Sequence, residues 1–517
     1  MASIGNYWIS MDKDRCRSWQ QPWKCGACIE SCEHGVFQRD EEGRAYVANE
    51  LACVGCRICA EMACPNNCIY VRPAVPENLS RGIWTTATVE EIHHKALTGE
   101  YQLRGFGTMR EMPHFDGLVV IPSQLASEPP RDKYREKFDM GLIIGEDTCE
   151  RPVKLSMPFV IAAMSYGAIS KEGKMAFSAA AARLGIMANT GEGGMFPGEV
   201  AYAHGFEGVA GQKKGVRRWN PGGYLTVQWS TGRWGVSLDY LSEADAVEIK
   251  AGQGAKPGMG GHLLGSKVTP DIAAVRGIPV GTDALSPCRH YDMQLKGDLK
   301  THVEILRDVT EYQKPILLKL GPSRPYDDAR IAAEAGVDAI SIDGMAGGTG
   351  ASPEIVTQHA GIPTIACIRQ AARALDEMGM GGKVKLIAMG GMRNGADAYK
   401  AIALGADAVG MGAALEIAMG CRGCMSCHSG ACHYGIATQR EEFRDCLDVD
   451  VASRRLENFI RACAEELKIL AMLSGHDTIR TLSIEDLRAI DLNTAAIAGV
   501  KLAGLEDFYP GEWRKFS

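Results

Sequence analysis

Between residues 151 and 420, short apolar runs recur with helical patterns between several of them, and this alternation restricts the fold more than any other feature of the chain. The runs are Phe159–Met164, Ile186–Asn189, Tyr224–Gln228, Ala246–Lys250, Ile316–Leu320, Ala339–Ile342, Val384–Met389 and Ala408–Gly412. Helical periodicity covers Lys171–Leu184, Thr301–Tyr312, Asp327–Ala335, Ile368–Met378 and Gly395–Leu404. Strands too short to be helices, separated by helices, make parallel βα units. Eight of them fit a (β/α)8 TIM barrel of the α/β class, whose site lies at the C-terminal ends of its strands. Polar residues and glycines gather at those ends: Ser165, Asn189-Thr-Gly-Glu192-Gly-Gly194, Gln228, Lys250 and Lys319. One such residue is an ordinary loop residue; the repetition from strand to strand points to a site.

The barrel pattern also places a phosphate site, in the loops after strands seven and eight. The matching residues are Gly390, Gly391, Gly410, Gly412 and Ala413. Glycines there let backbone N–H groups approach phosphate oxygens; tight helix–strand packing explains glycine equally well. A third glycine-rich loop, Gly344 to Ser352, includes Gly347 and Gly348 but does not open a dinucleotide-binding unit. No nicotinamide fingerprint is legible anywhere in the chain.

Cysteine use sets the rest of the organisation. The chain has eighteen cysteines and a formal net charge of −7. No apolar run reaches the length of a membrane span, and no basic-then-apolar leader opens the sequence. Cytoplasmic location, thiols committed to metal, and no nucleic-acid or membrane partner are the expectations. Nine cysteines precede residue 75. Cys53-x2-Cys56-x2-Cys59 followed by Cys64-Pro65 is close to a bacterial ferredoxin run, with one residue inserted before the fourth thiol. Cys25-x2-Cys28-x3-Cys32 resembles a second copy with its first thiol displaced. In such runs the fourth thiol ligates the other cluster. That rule assigns one [4Fe–4S] cluster to Cys32, Cys53, Cys56 and Cys59, and the other to Cys25, Cys28, Cys64 and Cys16, with Cys68 competing for the place of Cys64 or Cys16. A third group, Cys421, Cys424, Cys427 and Cys432, falls within twelve residues just after the last strand. Its spacing suits an iron–sulfur centre, with zinc as the plainer alternative. The resulting domains are 1–75, a ferredoxin-like domain; 76–150, a connector wrapping the barrel, with a short helix over Val89–Leu97; 151–440, the barrel with its cysteine loop at 421–432; and 441–517, a helical segment. In that segment Ser453–Leu473 has helical spacing, and Ser483-Ile-Glu-Asp486 reads as a capping box opening another helix.

From about residue 110 to 495 the chain resembles the synthase domain of glutamate synthases. The likeness rests on ordered blocks: Ala163-Met-Ser-Tyr-Gly-Ala-Ile-Ser170, Asn189-Thr-Gly-Glu-Gly-Gly194, Glu248-Ile-Lys250 with Gly252-Gln-Gly-Ala-Lys256-Pro-Gly-Met-Gly-Gly261, Gly347-Gly-Thr-Gly-Ala-Ser-Pro353, and Gly435-Ile-Ala-Thr-Gln439. The resemblance implies FMN on the barrel beside a cluster, with reduced flavin passing a hydride to 2-iminoglutarate, formed from 2-oxoglutarate and ammonia, to give L-glutamate. By position it implies FMN contacts at Met164, Ser165, Asn189, Gln228, Lys250, Lys319 and the glycines named above. It places Glu192, Lys256 and Arg276, with Lys250, at the substrate. A dicarboxylate needs cations, and arginine offers a two-pronged fork.

Three departures qualify the resemblance. His262 stands where the family usually has Gln. The family's cluster is usually [3Fe–4S], matched here by Cys421, Cys427 and Cys432; Cys424 is an extra thiol that would complete a [4Fe–4S] set. Residue two is Ala, so no N-terminal glutaminase nucleophile is expected, and the fused cysteine-rich module resembles the compact archaeal-type large subunit. Ammonia is then expected free or from a separate glutaminase subunit, and electrons from ferredoxin or a separate reductase; an oligomer is allowed. Competing readings are an N-methylglutamate synthase-like subunit and a non-catalytic electron-transfer subunit. The second leaves the cations at the barrel mouth without a purpose.

Overall fold

A computed structural model describes residues 7–73, 98–205, 222–295 and 297–505, with Thr88, Glu91, Ile92, Lys95 and Ala96 between the first two stretches. Val89, His93, His94 and Leu97 of the short helix expected there lie outside the described residues. The chain forms two compact units. The first is Met1–Arg104 with Arg422–Cys427; the second is Gly105–Cys421 with His428–Ser517.

In the first unit, Tyr7–Met11 pairs antiparallel with Ile69–Pro73, and Phe37–Arg39 with Ala45–Val47. Alternation along the first pair turns Ile9, Ile69 and Val71 inward. They meet Val36, Phe37, Ala45 and the buried thiols Cys16, Cys28, Cys59 and Cys68 in one small core. Thiols thus supply much of the apolar interior of a unit with few large side chains to bury.

The second unit is built on a closed barrel of eight parallel strands. These are β1 (Phe159–Ile161), β2 (Met187–Asn189), β3 (Tyr224–Trp229), β4 (Ala246–Lys250), β5 (Ile316–Leu320), β6 (Ala339–Asp343), β7 (Lys385–Met389) and β8 (Ala408–Met411). Each falls within a run read from sequence or overlaps it to within a few residues. Every strand pairs with its neighbours in order, and β8 closes on β1.

Because strand side chains alternate in direction, each strand sends every second residue inward. The inward set changes character along the barrel. At the N-terminal end it is apolar: Val160, Met187, Ala246, Leu317, Ala339, Ile387 and Ala408 form one cluster. The antiparallel pair Leu142–Ile144 and Val153–Leu155 adds Leu142, Ile144, Val153 and Leu155 to that same cluster. This pair, whose first strand reads in sequence as part of a connector, stoppers the barrel floor. Two residues further along the same strands, the inward positions are Glu248 and Ser341; beyond those come Lys250, Lys319 and Asp343. The apolar floor and the polar mouth follow from one period-two pattern.

Outside the strands the helices pack their apolar faces. α1 (Lys171–Leu184) starts at Ser170, whose side chain accepts the Gly173 N–H, and ends at Gly185 in the left-handed region (φ 66°). Its run of alanines lets α2 (Glu199–Ala203) and α5 (Val449–Leu473) pack closely on it. Between them in the chain lie α3 (Pro270–Arg276) and α4 (Gly395–Ala403). The expected capping box at Ser483 is present, but it opens a single 3-10 turn, Ile484–Asp486, because Leu487–Ala489 then pairs with Leu118–Val120. Among the described residues no helix is long and apolar enough to cross a membrane.

Helix α4 meets α5 so closely that a Cβ on Gly395 would lie 2.1 Å from the Cys463 carbonyl oxygen and 2.9 Å from the Leu467 nitrogen. Gly395→Ala is therefore expected to push the two helices apart at a cost of about 1–3 kcal/mol. A lowered thermal midpoint with unchanged helical circular dichroism in the folded state is the measurement.

Candidate active site and thiol sets

Glu248 organises the barrel interior just below the mouth. It projects inward from β4 and is 1% exposed. Asn189 Nδ2 and Gln228 Nε2 donate to its Oε1 at 3.0 and 2.7 Å, and Ser341 Oγ donates to Oε2 at 2.9 Å. One carboxylate therefore binds β2, β3 and β6 to β4. Sequence reading quoted Glu248 within a motif without giving it a role; its inward register on β4 is the signal that identifies it. Asn189 is committed at both ends, since its Oδ1 also accepts the Gly191 N–H at 2.9 Å.

Above this layer, Glu192 is the hub. Its Oε2 lies 3.0 Å from Lys250 Nζ, and Ser286 Oγ donates to Oε1. Burial works to raise the Glu192 carboxyl, but Lys250, Ser286 and Arg276 outweigh it and hold it below its ordinary value. The group is thus an ionised acceptor at neutral pH. Arg276, at the C-terminal end of α3, donates through Nη2 to the carbonyls of Tyr166 and Glu192 at 3.1 and 3.3 Å. Its Nε is buried with no hydrogen-bond partner among the described residues. Burial pulls the guanidinium down to about 10, so it stays charged. Lys256 donates to the Ala351 carbonyl at 2.7 Å, and burial, reinforced by Lys250, brings it down to about 8. Ser230, at the end of β3, also has a buried hydroxyl without a partner, and no sequence pattern distinguishes it. The cations and carboxylate expected at a substrate site thus come together, and they leave donor capacity unused.

Lys319 faces Asp343 at 3.5 Å, and Asp343 accepts the Gly254 N–H at 2.8 Å. Lys250 and Lys319 are register partners on adjacent strands, so two ammonium groups share the mouth. His262 is turned to Asp283, with Nε2 3.1 Å from Oδ2. Met164 enters through its carbonyl, which accepts from Lys174, and the Ser165 carbonyl accepts the Ile169 N–H.

The glycines divide into two kinds. A Cβ at Gly390 would lie 2.8 Å from the Gly344 carbonyl, at Gly391 2.8 Å from His114, at Gly410 2.7 Å from Met389, and at Gly347 2.5 Å from Asp343. These four are glycine because protein already fills the space. At Gly348 and Gly412 the nearest atoms to such a Cβ are 3.5 and 3.6 Å away. Packing alone does not demand glycine at these two, and they leave room for a ligand above the backbone. Ala413 opens the helix Ala413–Met419 directly after Gly412.

In the first unit the thiols fall into two sets. Cys16, Cys25, Cys28, Cys64 and Cys68 line one cavity. Burial first, and then Cys16, Cys25 and Cys64, push the Cys28 thiol up to about 12. In the other set burial, then Cys56, Cys32 and Cys53, raise Cys59 to about 12, and burial followed by Cys56 and Cys32 raises Cys53 to about 11. Cys64 and Cys68 lie Sγ to Sγ at 3.3 Å, and Cys64 Sγ accepts the Cys68 N–H at 3.4 Å. Among the described residues no three ligating side chains converge as tightly as a single metal ion requires. Of the late loop, Cys424 and Cys427 belong to the first unit, while Cys421 and Cys432 belong to the second and pack against the barrel core. Of the five thiols outside these three groups, Cys367 and Cys463 are buried, Cys149 is half-buried, and Cys288 and Cys446 are exposed.

Lys256 also predicts a pH dependence. Its folded value near 8 lies below the ordinary 10.5 of lysine, so the folded chain releases this proton first. The burial cost is fully present below pH 8 and is relieved as pH rises towards 10.5, so this group makes stability rise with pH in that window. Anion binding runs the other way: affinity for a small dicarboxylate is expected to fall as pH passes 8. Isothermal titration at pH 6.5 to 9 should show that fall in the wild type and a flat profile in Lys256→Met.

Comparison with known proteins points to one family. A family model described as the conserved region in glutamate synthase matches residues 115–477. A glutamate synthase large subunit-like protein of Rhizobium meliloti (strain 1021) is 38% identical over 459 residues, covering 86% of this chain and 99% of that protein. An archaeal-type glutamate synthase [NADPH] of Thermotoga sp. (strain RQ2) is 37% identical over 507 residues, 93% of this chain and 96% of its own length. An archaeal glutamate synthase [NADPH] of Archaeoglobus fulgidus is 34% identical over 527 residues, 97% of this chain and 98% of its own.

Proposed function

The chain belongs to the glutamate synthase family, and we propose that it reductively aminates 2-oxoglutarate to L-glutamate on an FMN at the barrel mouth, with iron–sulfur clusters delivering the electrons. The observation that carries this reading is the arrangement of Lys250, Lys256 and Arg276 around an ionised Glu192, with the buried Arg276 Nε still unpartnered. Buried cations with spare donors suit a substrate that brings two carboxylates.

The residues present fit FMN. Gly348 and Gly412 leave room above the backbone, and Lys250 and Lys319 put positive charge beside the space where a reduced, anionic ring would need it. Bound there, the flavin supplies the hydride. The chain does the rest. Arg276 and Lys256, both charged at pH 7, hold the oxo-acid's carboxylates and fix which carbon faces the donor. Glu192, kept ionised by Lys250, accepts from the substrate nitrogen; in that state it orients the imine and has no proton to give. Glu248 acts from below by holding Gln228 and the strand ends in register.

The thiols fit iron–sulfur clusters in the same sense. Crowded, buried thiols resist ionising one by one, and a cationic cluster removes that cost. Cys32, Cys53, Cys56 and Cys59 would hold one [4Fe–4S] centre, and Cys16, Cys25, Cys28 and Cys64 the other, with Cys68 beside Cys64. Cys421, Cys427 and Cys432 would hold the third, with Cys424 deciding between [3Fe–4S] and [4Fe–4S]. Two of the three relatives described above carry NADPH in their names. This chain has no dinucleotide fingerprint, so nicotinamide electrons reach it through ferredoxin or a separate reductase. Ammonia arrives free or from a separate glutaminase subunit.

The test is anaerobic. Protein reduced with dithionite is mixed with 2-oxoglutarate and ammonium while flavin absorbance and L-glutamate are followed together. Glutamate formed in step with flavin reoxidation is the expected result, and NADPH alone should leave the flavin oxidised. Turnover with methylamine but not ammonium would replace this substrate assignment. Arg276→Met should raise the KM for 2-oxoglutarate about thirtyfold or more, since truncating a buried charged contact costs 2 kcal/mol or more. Cys59→Ala and Cys28→Ala should each remove about four irons per chain.

A further inference from the structure

We infer that Lys174, far from the reacting atoms, is a positioning residue that sets the flavin-facing backbone of the first two strand ends; the inference rests on FMN binding at the barrel mouth. Lys174 lies on α1, behind the strands, and is 2% exposed. An ammonium has three donors, and here each has a carbonyl acceptor: Met164 at 2.9 Å, Asn189 at 2.8 Å and Thr190 at 3.1 Å. Glu199 Oε1 stands 2.9 Å away and forms an ion pair with the same ammonium. A helix side chain thus reaches between β1 and β2 and gathers the carbonyls where both strands end.

A second observation falls on the same peptide. Gly191, at φ 72°, approaches the Met164–Ser165 link so closely that a Cβ there would be 2.5 Å from Ser165 N and 2.7 Å from Met164 C. The peptide is planar and trans, so its carbonyl and N–H edges face opposite ways. Lys174 holds its carbonyl edge, and Gly191 lies close against the face of the same peptide at Ser165 N. Rotation of this peptide would break the ammonium contact or collide with Gly191. The loop after β1 therefore has one orientation set from behind, with no strand pairing to set it, since β1 ends at Ile161.

Buried lysines elsewhere are the control. Lys314, just before β5, donates to the Leu241 carbonyl at 2.9 Å and also to that of Ser242. It makes the same kind of clamp at the opposite, N-terminal end of the barrel, away from the mouth.

The experiment compares Lys174→Met, Lys174→Gln and Lys314→Met, each purified without flavin and titrated with FMN by fluorescence quenching, with thermal midpoints measured in parallel. Lys174→Met is expected to weaken FMN binding roughly tenfold or more and to alter the bound flavin's absorption bands. Lys174→Gln, which keeps a donor, should recover part of the affinity. Lys314→Met should lower the midpoint while binding FMN like the wild type. Wild-type affinity in Lys174→Met, or equal loss in Lys314→Met, would overturn the inference. If Lys174→Met does not fold, Lys174→Gln decides alone: unchanged FMN affinity and spectrum overturn it, and weakened binding at a wild-type midpoint supports it. A wild-type protein that binds no FMN would overturn the reading beneath it instead.

Discussion

A carboxylate with three hydrogen-bond donors inside a closed barrel is the constraint on which the mouth depends. Glu248 is 1% exposed, and the side chains of Asn189, Gln228 and Ser341 supply the donors its charge requires. Each donor lies on a different strand. The arrangement fixes the rotation of four strands about the barrel axis, and so fixes where the next inward residues, Lys250, Lys319 and Asp343, emerge. A neutral residue at 248 would leave three buried donors without an acceptor. The polar layer is thus a second framework laid over the backbone hydrogen bonds of the sheet.

The mouth built on that framework is strongly charged yet nearly balanced within itself. Lys250 is matched to Glu192, Lys319 to Asp343, and Lys174 behind the strands to Glu199. Among the described residues Lys256 and Arg276 have no carboxylate within ion-pair distance; they use backbone carbonyls, which satisfy geometry but leave charge over. The surplus positive charge lies where a doubly negative substrate would neutralise it. Burial makes such surplus charge costly, and an anionic ligand would relieve the cost.

The fold was largely legible in sequence because the barrel repeats one simple rule. Short apolar runs set between helical patterns identified all eight strands, with β1 ending three residues early at Ile161, where the loop leaves the sheet. The polar residues at strand ends were legible for the same reason. Roles within the site were less so. Asn189 looks in sequence like a ligand contact, but both ends of its amide are taken by Gly191 and Glu248. Gly390 and Gly410 look like phosphate glycines, but close protein neighbours explain them. Lys174 sits in the middle of an alanine-rich helix, where nothing in the local pattern shows that its head reaches three carbonyls. Partners far apart in the chain decide these cases, and periodicity does not encode them.

The stoppered floor has a consequence for how this protein can be cut and joined. Leu142, Ile144, Val153 and Leu155 complete the apolar cluster inside the barrel, although half of them precede the first strand-like run by more than a dozen residues. A fragment begun at the apparent start of the barrel would expose that cluster to water from below. The natural seam lies upstream, near residue 104, where the compact units divide. A module exchanged at that seam keeps its own floor; one exchanged at residue 150 leaves Leu142 and Ile144, half of the floor, on the discarded piece.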